Sequence, residues 1–364
     1  MLPAKMNDFN YFPSTPLATV TPSGWSFPTD NHSAVHHIGH TRSGNPLHAI
    51  LLGHGPLQIT LTAGAHADEP IGPRTALFLA NQLAHNPAYT PWREAATWRI
   101  VPHANPDLDP PNSNILASPN FSPHEQALHL IRESPEHDVE FHYPMPQPPQ
   151  NAANPRPENL AIAEFLRPAA PIHLHLSLHS MSFASGAWYL LCAEWAQHLQ
   201  NSPERRQLES HTRALGLPLM DWDRAGEKGF RQILPGFSTT PTGQAMRQHF
   251  ESEPSTARHF LHSSMEYSQS LGGNPLCVVT EIPHFLVQLN PWDTYAQWNA
   301  ELRQAKQNAQ ISDFLKLQAH RLKPVPPHIH FQLHLHTITF ALHLASRIHN
   351  IPLPKHLEPH FPLA

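Results

Sequence analysis

Apolar and polar positions along the chain recur with two periods, and the alternation between them predicts the elements. Residues 47–66, LHAILLGHGPLQITLTAGAH, hold two β-rich apolar runs split by GHGP, which predicts a hairpin or two near-neighbour strands. From Ile71 to Leu83 apolar residues return at helical spacing. TWRIVPHANPD, 97–107, predicts a strand closed by a turn. PENLAIAEFLRP, 157–168, predicts a helix with proline at its start. IHLHLSLHS, 172–180, alternates strictly and predicts a strand that stops at His179-Ser180. Residues 203–270 are mixed, with KGFRQILPGFSTTPTG as a loop. NPLCVVTEIP, 274–283, reads as a short buried strand, and 292–322 is helical in pattern. Strands alternating with helices imply an α/β fold with a mainly parallel sheet.

The ends and one middle stretch break this pattern. Residues 1–30 are polar and proline-punctuated and are expected to form an arm ahead of a main body at 31–325. Residues 108–156 are rich in Pro, Asn and Ser and are expected to be long loops, which in a compact enzyme are often functional. Residues 326–364 form a His- and Pro-rich extension, packed on the body or trailing from it. Its early alternation suits a strand, and its spacing beyond Thr339 suits a helix. Its histidines at 328, 330, 334, 336, 343 and 349 are read as exposed or packing residues rather than a metal store.

Composition narrows the classes. Charged residues make up only 14% and the net charge is -5 with His neutral, which excludes the Lys/Arg excess of a nucleic-acid binder. No run reaches the ~18 apolar residues of a membrane span. The first twenty residues lack a signal-peptide core, so a cytoplasmic protein is expected. Cys192 and Cys277 each sit in an apolar run and are expected to be buried free thiols.

The candidate chemistry starts at His66-Ala67-Asp68-Glu69, where a strand ends and a helix begins. A His and a carboxylate three residues apart on a tight turn can face one cation, and catalytic zinc sites use three protein ligands plus an open position. With 31 His in the chain, HxxE alone is weak. The carboxyl end of a strand strengthens it, because ligands of open α/β sheets gather there. His179, at the expected end of its strand, is the candidate third ligand; His173 and His175 share its face but sit mid-strand. Glu281 follows the apolar run CVVT, where an ionisable group is costly without a purpose, and is the candidate general base.

Taken in order, GHTRSGNPLHAILLGHG, LTAGAHADEPIGPRTALFLANQL, VPHANPD, LSLHS and VVTEIP resemble the zinc carboxypeptidase family of carboxypeptidase A across roughly residues 35–320. The resemblance implies a three-layer α/β/α sandwich around a mixed, mostly parallel sheet. It implies one zinc per chain on His66, Glu69 and His179, with Glu281 as the base that activates water. An arginine that stabilises the oxyanion is also implied. Arg132 is the candidate by position, with Arg156, Arg224 and Arg231 as others. The family's tyrosine proton donor is left unassigned, although Tyr267 is nearby. Asp107 is a plausible acceptor for a ligand histidine's second ring nitrogen.

The departures bear on specificity. The family's GVDLNRNFP-like block holds a substrate carboxylate with an Asn-Arg pair, and here Glu140 and Phe141 stand at those places in DVEFHYP. Asp68 stands where carboxypeptidase A has Arg. A Glu repels a carboxylate, so these residues, read as substrate-binding, imply a substrate end that is basic, amidated or otherwise lacks a free carboxylate. The expected function is zinc-dependent hydrolysis of an amide near a chain end, on a peptide or an amide-bearing small molecule. The alternatives are an N-acyl amino acid deacylase of the aspartoacylase and succinylglutamate desuccinylase kind, or a non-catalytic His-rich zinc binder. TAGAHADEP and TEIP favour the first, and Glu281 argues against storage, which needs no base.

Overall fold

The computed structural model describes residues 33–108, 112, 129–355 and 357; the expected arm at 1–30 and much of 108–128 lie outside these. The strands in chain order are β1 (Ser33–His40), β2 (Pro46–Leu52), β3 (Leu57–Ala63), β4 (Ala96–Val101), β5 (Leu174–Ala184), β6 (Trp188–Leu191), β7 (Gln232–Leu234), β8 (Phe237–Thr239), β9 (Leu276–Val287) and β10 (Leu322–Pro324). They form one sheet ordered β1-β2-β4-β3-β5-β9-β6-β8-β7, with β10 also paired to β9. The centre, β4-β3-β5-β9, is parallel. Antiparallel pairs flank it, β1/β2 and β2/β4 on one side and β6/β9 on the other.

Helices cover both faces, giving three layers. Because successive side chains on a strand point to opposite faces, Leu174, Leu176 and Leu178 of β5 face one side while His175, Ser177 and His179 face the other. The leucine face joins Val278 and Ile282 of β9 in an apolar cluster with Leu79 and Leu83 of the helix Ile71–His85, Leu208 of Pro203–Ala214, and Leu333, Ile338 and Leu342 of Pro327–His349. The opposite face carries Phe183, Val279 and Val287 against Trp298 and Leu302 of Tyr295–Gln307. The helices Pro157–Leu166 and Ser264–Ser270 pack on this second side as well.

Several boundaries differ from expectation for tertiary reasons. β2 and β3 are not a hairpin, because β4 lies between them. The GHG link is held to the segment before β4 by His54 and Gly55 N–H groups on the Arg93 carbonyl, and to β4 itself by Thr97 Oγ1 on the Gly55 carbonyl. β5 does not stop at His179 but runs five residues further, because β9 stays in register with it to Ala184↔Leu286. The stretch 292–322 is two helices, Tyr295–Gln307 and Ile311–Gln318, separated where Ala309 takes φ 55°.

The alternating PPHIHFQLHLH is helical, not extended. Proline at the start supplies a φ already suited to a helix, and Asn350 ends the helix in the left-handed region. His330 and His334 are buried in it, and His336 stacks on His211 with centroids 4.0 Å apart. Cys192 and Cys277 are free and buried. Among the described residues no helix is long and apolar enough to cross a membrane.

Candidate metal centre

The turn after β3 carries His66 and Glu69, and two glycines set its position. Gly64 takes φ 68°, and a Cβ there would meet His103 Nδ1 at 2.5 Å. Gly72, in the first turn of Ile71–His85, lies so close to β5 that a Cβ would meet the Leu178 carbonyl oxygen at 2.7 Å. Only glycine allows that approach. It brings the His66–Glu69 turn against the residue that follows Leu178, which is His179.

Three donor atoms converge there. His66 Nδ1 is 2.8 Å from Glu69 Oε1, His179 Nδ1 is 2.9 Å from Glu69 Oε2, and the two Nδ1 atoms are 3.1 Å apart. The three residues can jointly hold a metal ion. Ligands about 2.0–2.1 Å from a tetrahedral zinc lie about 3.3 Å from one another, so the spacing is within about half an ångström of a zinc shell. The outward ring atoms fit as well. His66 Nε2 is 3.1 Å from Asp138 Oδ1, and His179 Nε2 is 2.9 Å from Ser177 Oγ and 3.3 Å from Glu140 Oε2. With the Nε2–H of each ring facing a carboxylate, an imidazole that gives up its Nδ1 proton to an incoming cation turns an Nδ1 lone pair inward. The donor set of two imidazoles and a carboxylate is that of hydrolytic zinc sites.

Electrostatics couple these groups tightly. Burial would depress His66, and Arg132 acts in the same sense, but Glu69 and Asp138 outweigh both and raise it to about 9. Burial would raise Glu69, yet the two imidazoles hold it well below the usual carboxylate range. Asp138 is likewise kept ionised against burial, by His66 and Arg132. The cluster therefore stores carboxylate charge facing ring nitrogens, which a cation can replace protons to satisfy.

Glu281 is the register partner of His179 on the adjacent parallel strand, so both side chains leave the sheet on the same face. It is half-buried. Burial, reinforced by the Glu69 charge, pushes it up to about 8, whereas a bound cation would favour its carboxylate. Arg132 is 44% exposed at its side chain and places Nη1 3.1 Å from Glu69 Oε1 and 3.6 Å from Asp68 Oδ1. His66, Glu69, His179, Glu281 and Arg132 are thus gathered in one place.

Glu140 and Phe141 are placed differently from the expected substrate contacts. The helical turn Val139–Phe141, capped by Asp138, turns Glu140 inward behind His179, where Oε1 accepts from Ser264 N (3.1 Å) and Oγ (2.7 Å). Phe141 is buried against Phe260 and Met246. Arg156 is committed to Glu133, Glu158 and the His137 carbonyl. Asp107 ties Asn45 Nδ2 and Ser43 N in the β1–β2 turn rather than a ligand histidine. Tyr267 donates to the Ala163 carbonyl. The missed partners are Asp138, Ser177 and Ser264. The first two had a sequence signal, since a ligand histidine needs an acceptor and Ser177 shares the face of His179.

One comparison with known proteins, against family models, agrees with the resemblance read from the sequence over part of the chain. A family model described as zinc carboxypeptidase matches residues 29–107. That stretch includes His66 and Glu69, while His179 and Glu281 lie beyond it. None of the curated proteins matches the sequence. Among solved structures, carboxypeptidase A from Helicoverpa armigera is similar at 13% identity and TM-score 0.47, covering 87% of this chain and 68% of that one. Bovine thrombin-activatable fibrinolysis inhibitor, solved in complex with tick carboxypeptidase inhibitor, is similar at 13% identity and TM-score 0.44, covering 88% and 92%. A metallo-carboxypeptidase from Burkholderia cenocepacia is similar at 13% identity and TM-score 0.43, covering 88% and 66%.

Proposed function

We propose that this protein is a zinc-dependent hydrolase of the carboxypeptidase type, cleaving an amide bond near the end of a peptide or a smaller amide-bearing substrate. The observation that carries this reading is the convergence of the His66, Glu69 and His179 donor atoms next to Glu281. A bound zinc supplies Lewis acidity, polarising a carbonyl and making water a nucleophile near neutral pH. Glu281 accepts the proton of the attacking water and delivers it to the departing amine. Arg132 brings a permanent positive charge to the oxygen on which negative charge develops. His66 and His179 are oriented by carboxylates that hold their Nε2 protons.

Metal analysis tests the reading directly. The purified chain is expected to carry about one zinc, and His66→Ala and His179→Ala are each expected to lose most of it, because removal of one of three ligands leaves a poor site. Full zinc content in both variants ends this assignment.

A second expectation concerns the substrate end. Phe141 is apolar and buried, Glu140 is buried and anionic, and Arg156 is already neutralised. None of the three can clamp a terminal carboxylate. Two peptides that differ only in a free or amidated C-terminus are expected to have kcat/KM values within about tenfold, since a lost charge-assisted hydrogen bond is worth about 1.5–3 kcal/mol. A preference for the free acid of a hundredfold or more would show that another cation grips it.

A further inference from the structure

His179 Nε2 has two neighbours, and they instruct the ring differently. Ser177 Oγ at 2.9 Å can accept a proton from Nε2 or donate one to it, so it leaves the tautomer open. Glu140 Oε2 at 3.3 Å belongs to a carboxylate that can only accept. The other oxygen of Glu140 is already occupied by two donors, the Ser264 backbone N–H and hydroxyl.

The hydrogen bonds behind it admit a direction in which Glu140 only accepts, although Ser264 Oγ also has Met265 Sδ at 3.2 Å and Thr60 Oγ1 the Leu174 carbonyl at 3.5 Å. Ser264 Oγ lies 3.0 Å from His175 Nε2, and Thr60 Oγ1 lies 2.8 Å from His175 Nδ1. If Ser264 gives its single hydroxyl proton to Glu140, its oxygen accepts from His175 Nε2–H. His175 Nδ1 then accepts from the Thr60 hydroxyl. Every member of the chain Thr60, His175, Ser264, Glu140, His179 is buried. The residues come from three strands or turns and a helix far apart in sequence, so the arrangement is a tertiary one.

We propose that Glu140 is a positioning residue for His179: it compels Nε2 to carry the proton, and so keeps Nδ1 free as a ligand for the metal. This rests on the zinc reading above and adds the group that sets the ligand's tautomer. It replaces a substrate-binding role for Glu140 with one directed at the metal.

The sign of the hydrogen bond makes an unusual test. In Glu140→Gln the amide keeps the shape, but the Ser264 donors hold its oxygen, so its NH2 faces His179. That donor favours an Nε2 lone pair and places the proton on Nδ1, where the metal binds. Glu140→Ala removes the acceptor and introduces no donor. The isosteric change should therefore weaken zinc binding more than the truncation, even though the truncation should lower thermal stability more.

The measurement is zinc affinity of the full chain, by competition with a chromophoric chelator, with circular dichroism as the check on folding. Glu140→Gln is expected to bind zinc roughly 10–100-fold more weakly than wild type, and more weakly than Glu140→Ala. Ser264→Ala, which retains the carboxylate but loses the hydroxyl that orients it, is expected to fall between wild type and Glu140→Gln. It serves as the test if the Glu140 variants do not fold, and unchanged affinity in it then overturns the proposal. Glu140→Gln affinity within about twofold of wild type also overturns it, as does Ser177→Ala alone reproducing the Glu140→Gln loss. A wild-type chain that takes up no zinc overturns the zinc reading and this inference together, whereas normal wild-type binding with an unchanged Glu140→Gln overturns the inference alone.

Discussion

Glu281→Gln is expected to lower kcat by about 10²–10⁴-fold while zinc content and fold stay as in wild type. Glu281 lies outside the set of convergent donor atoms, so its replacement does not remove a ligand. Its side chain shares a face with His179 because β5 and β9 are parallel and in register at this pair. A carboxylate there can take a proton from water and return it to an amine. A carboxamide of the same size can do neither at neutral pH. Steady-state rates on a chromogenic amide substrate, beside metal analysis of the same preparations, separate the two effects. Turnover within about tenfold of wild type at full zinc content would falsify the role of Glu281 as base.

The parts of the site that a local pattern specifies were legible in the sequence. His66 and Glu69 lie on one turn, so their convergence needs only a strand that ends and a helix that begins. His179 follows from alternation, and Glu281 from an acid placed at the end of an apolar run. The parts set by long-range pairing were not. Nothing in LHLSLHSMSFA announces that the strand continues beyond His179; that depends on β9 extending to Val287. The position of Glu140 is fixed by Ser264, 124 residues later, so register with a family block located the residue but not the direction of its side chain.

The C-terminal segment shows the same division. HIHFQLHLH alternates like a strand when histidine is taken as polar. In the structure His330 and His334, four residues apart, share a buried helix face with Leu333 and Ile338 nearby. The features that bound the helix are proline at its start and Asn350 at its end. Buried histidine behaves as a core residue here as long as it is neutral, and that condition has a thermodynamic consequence.

Acidification from pH 7.5 to pH 5 is expected to destabilise the fold by about 4 kcal/mol through two histidines alone. Burial pushes His334 down to about 3, with the charge of His179 acting in the same direction. Burial likewise pushes His175 down to about 4, against the opposing pull of Glu140. Unfolded, each returns to about 6.5. Between these values the unfolded chain binds protons that the folded chain refuses, so stability is fully present above about pH 6.5 and falls as the pH drops towards the folded values. At pH 5 each group contributes about 1.5 × 1.36, or about 2 kcal/mol, against a total stability of about 5–15 kcal/mol. Urea unfolding across this range should give a slope of about 1.4 kcal/mol per pH unit for each of the two near pH 5. His334→Asn can still accept a hydrogen bond from Thr280 Oγ1, which lies 3.0 Å from His334 Nδ1, but it cannot titrate. That variant should lose stability at pH 7.5 from imperfect packing, yet its slope near pH 5 should be shallower than wild type by about 1.4 kcal/mol per pH unit. A slope identical to wild type would show that His334 is already protonated in the fold, or that the helix carrying it opens before the rest of the molecule unfolds.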